Sequence, residues 1–375
     1  MIITILIFLV VLSVLVFAHE LGHFWTAKSL GIRAEEFGFG FPPRIFGFQI
    51  IKGGKFKKWR WVRGNRPLTE EDAKHGTVYS LNWIPIGGFV KIKGEGGDNK
   101  ADRDSFASRS IWQRFLIMAA GVFMNIVLAF VLFSIAISIG MPQEITGPGG
   151  NIQIEQVVDK SPAAAAGISM GDIVVGIDNK TFPEITDLQA YISGHQGQEM
   201  AVELKRGETS LTKEVTPEVM AGSDKAVIGV ALSKTEIIRY KWYQAIAKSA
   251  VYTIQVLGSI CVAFYDLIKN LILGHNVGDA VGGPVRIAQI TGQVASIGFV
   301  YLLNFMALLS LNLAVINFLP FPPLDGGRVL FLLIESIRRK PVKQEIETIL
   351  NNIGFLLLMA LLVWVTFKDL WRVFH

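Results

Sequence analysis

The stretch LVFAHELGHFWTAK (Leu15–Lys28) decides how this chain is read. It closes an apolar run that starts at residue 2 and reads as a membrane helix, yet it carries two histidines and a glutamate. A strongly polar or charged side chain costs about 2.5–3.5 kcal/mol at the centre of a membrane helix. Something must offset that cost. HELGH fits H-E-x-x-H, and on a helix positions i and i+4 share a face, so His19 and His23 can point both imidazoles at one cation. Glu20, one residue on, can reach a metal-held water without binding the metal. A zinc ion would offset the burial of these groups and bring the pKa of its water to about 7. The competing reading is a chance match at a helix end. Histidine is scarce, six in 375 residues, which makes chance a poor account.

Composition agrees with a membrane setting. Of the 375 residues 51% are hydrophobic and 18% charged, with a mean hydropathy of +0.43. That is too apolar for an ordinary soluble protein and suits a multi-span chain with some water-exposed mass. The net charge of +5 is modest, and no nucleic-acid partner is expected. The one cysteine, Cys261, excludes an intramolecular disulfide and a thiolate metal cluster; it reads as a small apolar residue. Met1–Ala18 lacks a basic n-region and a small-x-small cleavage site, so it is expected to stay as a spanning helix.

Outward from the HELGH helix (2–27), residues 28–113 are polar, with strand-and-turn sequence in GFGFPPRIFGF (Gly38–Phe48) and GTVYSLNWIPIGGFVKIKGE (Gly76–Glu95). Phe37, Phe39 and Phe41 alternate with glycines, which puts aromatics on one strand face. Residues 115–140, 298–319 and 351–367 are apolar enough to span. Between 115–140 and 298–319 lies an insert, residues 143–235, with short β-type runs (NIQIEQVV, DIVVGID, MAVELKR), a SPAAAAG turn-helix signal and a GETS hairpin tip. Residues 241–273 are ambiguous. Lys241, Gln244, Lys248, Gln255, Ser259, Asp266 and Lys269 recur at steps of three, four or seven, a polar stripe that favours an in-plane amphipathic helix over a fifth span.

The expected architecture is therefore an α-helical polytopic membrane protein of about four spans, with a β element after the first span and an inserted α+β domain. Its parts are 1–140, 141–238, 239–297 and 298–375. Between residues 28 and 114 there are 17 Lys/Arg against 9 Asp/Glu, and between 141 and 240 there are 8 against 14. Basic flanks stay cytoplasmic, so the first loop is expected inside and the inserted domain outside.

H-E-x-x-H still needs a third protein ligand. NFLPFPPLDGGRVLF (Asn317–Phe331) offers Asp325 at the end of an apolar segment, after prolines that break the helix and before a Gly326-Gly327 pair that permits close backbone approach. Asp325 alone would read as a helix N-cap. With HELGH in the same chain the balance moves toward a metal ligand.

HELGHFWTAK, IPIGGFVKIKGE (Ile84–Glu95), AVGGPVRIAQ (Ala280–Gln289) and FLPFPPLDGGRVLF together resemble the site-2 protease family, of the bacterial RseP/RasP type, and the resemblance covers nearly the whole chain. SPAAAAGISMGDIVVGIDNKTF (Ser161–Phe182) resembles a PDZ domain, with GPGGN (Gly147–Asn151) a candidate carboxylate-binding loop. The chain departs from the family in the second span, where GVFMN (Gly121–Asn125) stands for the usual G-P-x-x-N. No role is carried onto Val122.

The resemblance implies a zinc metalloendopeptidase of the bacterial cytoplasmic (inner) membrane that hydrolyses peptide bonds within or near the spanning segment of single-span membrane proteins, such as anti-sigma factors or signal-peptide remnants. It implies Zn²⁺ held by His19, His23 and Asp325, Glu20 as the catalytic acid/base, an active site toward the cytoplasmic side, a β element that is membrane-associated, and substrate handling by Asn317, Gly87 and Gly88. A tight turn without substrate contact is the other reading of Gly87-Gly88. The alternative function is a proteolytically silent membrane scaffold that binds partners through its PDZ-like domain; loss of the glutamate would favour it, and Glu20 is present.

Overall fold

A computed structural model describes residues 2–53, 56–69, 72, 75–145, 149–158, 160–207, 209–220, 225–275 and 282–374. Gly147 and Pro148 of GPGGN lie outside the described residues, as does His375. The chain forms two compact units.

The first comprises residues 1–132, 250–288 and 306–375. It opens with α1 (Ile2–Ser29), whose apolar run continues unbroken through HELGH. A three-stranded antiparallel sheet follows, made of β1 (Ala34–Gly53), β2 (Phe56–Arg63) and β3 (Val78–Ile92) in the order β2-β1-β3. The alternating phenylalanines of β1 dock on α1: Phe37 stacks on Phe24 at 4.6 Å and tilts against Phe17 at 5.2 Å, and Phe17 also meets Phe39. On the sheet's polar side, Arg44 forks onto Glu36 at 2.6 and 2.8 Å, so this buried pair is bidentate and fully hydrogen-bonded. Helix α2 (Ile111–Ile139) belongs to this unit as far as residue 132. A buried cluster of Ala27, Ile92, Ile117, Met118, Val329 and Leu332, with others, joins the end of α1, the end of β3, the start of α2 and a later helix over 325–338.

The second unit, residues 133–249 and 289–305, is built on a six-stranded antiparallel sheet. Its strands are β4 (Met141–Glu144), β5 (Asn151–Val157), β6 (Ile173–Ile177), β7 (Met200–Arg206), β8 (Thr209–Val215) and β11 (Val230–Ile238), in the order β4-β11-β5-β6-β7-β8; Glu218–Val219 and Ala226–Val227 form a small separate pair, β9 and β10. The SPAAAAG signal becomes a one-turn helix, α3 (Pro162–Ala165), capped by Ser161, whose hydroxyl accepts from the Ala164 N–H at 3.2 Å. Helix α4 (Ile185–Gly194) buries Leu188 and Ile192 against Ile154, Ile177, Val202 and Leu204. Strand β4 starts two residues after α2 ends and pairs with the last residues of β11, Glu144 opposite Thr235 and Met141 opposite Ile238. Just beyond, the Tyr240 N–H meets the Ile137 carbonyl at 3.5 Å.

The remaining helices are α5 (Trp242–Ile272), α6 (Pro284–Ile297), α7 (Phe299–Phe318), α8 (Asp325–Arg338) and α9 (Gln344–Phe374). Among the described residues five helices are long and apolar enough to cross a membrane: α1, α2, α5, α7 and α9. Four coincide with the expected spans. The fifth, α5, is the segment with the polar stripe and has the lowest mean hydropathy of the five, 1.6. Its buried residues are Ala245, Ser249 and Thr253, a small-residue line at four-residue spacing, and Ser249 shares a 2.6 Å hydroxyl contact with Ser134 of α2. One helix was not legible as such: residues 325–338 form a short amphipathic helix, α8.

Candidate metal centre

Helix α1 brings His19 and His23 onto one face, 7% and 6% exposed. Helix α7 stops at Phe318, the proline-rich turn reverses the chain, and α8 starts at Asp325 with Leu324 as its N-cap. Asp325 is thus the first helical residue, and its carboxylate faces the two imidazoles instead of capping its own helix. Gly326 makes this approach possible: a Cβ there would lie 2.2 Å from the Leu319 carbonyl oxygen.

The Asp325 Oδ2 lies 3.1 Å from His19 Nε2 and 3.2 Å from His23 Nε2, and the two Nε2 atoms are 3.2 Å apart. Ligands about 2.0–2.1 Å from a tetrahedral zinc sit about 3.4 Å from one another, so this near-equilateral triangle fits one face of such a tetrahedron. A carboxylate oxygen beside two imidazole nitrogens is a donor set that suits zinc. Among the described residues these three form the cluster of metal-type donors whose ligand atoms all lie within 4.8 Å.

Outer partners orient the imidazoles. His23 Nδ1 is 2.8 Å from the Ile117 carbonyl of α2, so Nδ1–H donates there and the Nε2 lone pair faces inward. His19 Nδ1 lies 3.3 Å from the side-chain amide of Asn125, a fully buried residue whose Oδ1 otherwise has no partner. With the amide turned so that Oδ1 meets the ring, His19 Nδ1–H donates and its Nε2 is also free for metal. Ser310 of α7 donates to the Asn125 backbone carbonyl at 2.8 Å and ties the third helix in. Gly121 stands four residues before Asn125 on α2. A Cβ there would sit 2.4 Å from His23 Nε2 and 2.7 Å from His19 Cε1, so only glycine leaves room for the pair of rings.

Glu20 is outside the ligand triangle. Its Oε2 accepts from the Val90 N–H of β3 at 3.1 Å. A cavity of about 220 Å³ lies beside it, lined by Val16, His19, Glu20, Leu313, Asn317, Pro323, Leu324 and Asp325. Asn317 therefore faces the same space as Glu20, its amide 3.4 Å from His19 Nε2. Gly87 and Gly88 do not line this cavity. They lie on β3 where it presses on α1; a Cβ on Gly87 would be 2.6 Å from Val16, and one on Gly88 2.9 Å from the Gly38 carbonyl oxygen. Sequence reasoning quoted GVFMN only as a departure from a pattern, and missed the steric role of Gly121 and the hydrogen bond of Asn125.

A model of peptidase family M50 matches residues 7–64 and 62–361. The chain belongs to peptidase family M50. Protein CPE1693 of Clostridium perfringens is 36% identical over 364 residues, covering 96% of this chain and 97% of that one. The regulator of sigma-W protease RasP of Bacillus subtilis is 29% identical over 455 residues and the zinc metalloprotease RasP of Bacillus licheniformis 29% over 451, each covering 99% of both chains. The PDZ domain of the SdrC-like protein of Listeria monocytogenes matches 24% of this chain and 93% of its own at 20% identity and a TM-score of 0.22. This M50 member is a zinc metalloprotease of the site-2 protease family and a polytopic membrane protein.

Proposed function

We propose that this M50 protease cuts peptide bonds within or near the membrane span of single-span proteins. The observation that carries this reading is the position of Glu20 and of His19 and His23, two corners of the metal triangle, on α1, a helix whose apolar run is long enough to cross the bilayer. His19, His23 and Asp325 would hold the zinc. When bound, zinc polarises the scissile carbonyl and acidifies a water toward neutral pH. Glu20 takes the proton of that water and passes it to the leaving amine. The Val90 N–H keeps the Glu20 carboxylate aimed, and Asn317 handles the substrate in the cavity. A spanning helix hides its carbonyls in its own hydrogen bonds, so the substrate must unwind locally, and strand edge in the β1–β3 element gives it a pairing partner. The PDZ-like domain screens substrates by the bulk or the extended segments they carry outside. Regulated substrates such as anti-sigma factors or signal-peptide remnants fit this chemistry.

The test is cut-site mapping. Purified full-length protein in detergent or vesicles, given a panel of single-span substrates, should yield new termini inside or at the edge of the span. Cuts confined to soluble tails would overturn the proposal.

The charge bias of the loops supports an orientation with the HELGH end of α1 and Asp325 near the cytoplasmic side and the PDZ-like domain outside. With the domain outside, one crossing by α7 brings Asp325 to the HELGH end of α1. A crossing by α5 as well would bring it to the wrong side, so α5 lies along the outer surface. In a Cys261→Ser background, Gln198→Cys and His275→Cys should react with an impermeant thiol reagent on intact cells, and Lys340→Cys should not. Reaction at 198 with protection at 275 would mean that α5 spans.

A further inference from the structure

Strand β3 ends the strand order of its sheet; its second half pairs with one stretch of β1 and turns its other edge to α1. An unpaired backbone group buried in an apolar setting is costly, so the edge must find partners. Two α1 side chains supply them. The Ser13 hydroxyl donates to the Pro85 carbonyl at 2.9 Å and accepts from the Gly87 N–H at 3.2 Å, and Glu20 accepts from the Val90 N–H. Ser13 is 4% exposed.

The spacing of these contacts is informative. Seven residues of helix advance about 10.5 Å. Three residues of strand advance about 10 Å. Ser13 to Glu20 and Gly87 to Val90 therefore match as two rungs, with helix and strand running in the same direction. In a regular strand, N–H groups three residues apart point to opposite edges. Gly87 breaks that alternation with a φ of +71°, where other residues are strained. Both N–H groups then face α1.

We propose that Ser13 is a positioning residue for Glu20: it fixes the register of β3 along α1, so that the Val90 N–H meets the Glu20 carboxylate beside the metal triangle. The proposal rests on the reading that the β1–β3 element presents unwound substrate to this site. Under it, Ser13 also sets which bond of the substrate stands opposite the metal. A shift of about 1 Å in a reacting group is enough for a 10²-fold loss of rate.

The experiment compares wild type, Ser13→Ala and Ser13→Thr as full-length protein in vesicles on one single-span substrate, with zinc content, thermal midpoint, kcat, KM and cut sites by mass spectrometry. The expected result for Ser13→Ala is unchanged zinc and midpoint, a kcat lower by about 10- to 100-fold with KM within about twofold, and cleavage spread over neighbouring bonds. Ser13→Thr, which keeps the hydroxyl, should restore the rate and the single cut. Wild-type kcat and a single cut site in Ser13→Ala would overturn the positioning role and leave the protease reading intact. Loss of zinc or a lowered midpoint in both variants would make Ser13 structural and overturn it too. A wild-type protein that makes no cut in or near a span would sink the underlying reading and this inference with it.

Discussion

Glu20→Gln is expected to keep about one zinc per chain and to lower cleavage by about 10²–10⁴-fold. The metal side of this result follows from geometry. The ligand triangle is complete without Glu20, whose carboxylate is turned to the Val90 N–H. Glutamine keeps the shape and can still accept from that N–H, but it cannot take a proton from water. His23→Ala, by contrast, removes a ligand and should lose zinc and activity together. Metal analysis of purified protein, paired with rates on one substrate, separates the two cases. Near-wild-type cleavage by Glu20→Gln would show that another group moves the proton.

Gly121→Ala is expected to lower zinc affinity by at least about 10- to 100-fold, the range seen when the outer support of a metal site is removed, and to lower activity with it. The added methyl overlaps two imidazoles, at 2.4 and 2.7 Å, and the closer contact is to His23 Nε2, one corner of the proposed ligand triangle. Neither ring can move away freely, because His23 is held by the Ile117 carbonyl and His19 by Asn125, both on α2 itself. Competition with a chelator of known affinity measures the loss. Wild-type affinity in Gly121→Ala would mean that α2 stands further from α1 than the structure places it.

How much of this was legible in the chain depends on the range of the interaction. His19 and His23 could be paired from spacing alone, because i and i+4 share a helix face whatever the tertiary fold. Asp325 could be nominated because a proline-broken apolar run is a local signal. Gly121 and Asn125 could not, since their work depends on α2 coming against a helix about a hundred residues away. Ser13 was hidden for the same reason, as one small polar residue in an apolar helix is unremarkable until a strand edge lies beside it. Gly87 and Gly88 were nominated for substrate handling. What the structure adds is their close packing on α1, which explains the glycines without a substrate. The α5 segment stayed ambiguous because length and composition permit a span while its polar stripe argues for the surface.

The pairing of β4 with the end of β11 has a consequence for how such a chain came to be assembled. The six-stranded domain begins and ends in two adjacent strands, and the segments flanking it are close enough for the Tyr240 N–H to meet the Ile137 carbonyl. A polypeptide whose two ends leave side by side can be spliced into a loop with little change in the distance that loop must close. Gain, loss or duplication of the domain would then leave the helices around it undisturbed. The join behaves as a socket, open to exchange of whole domains over evolutionary time while the zinc-binding helices keep their geometry.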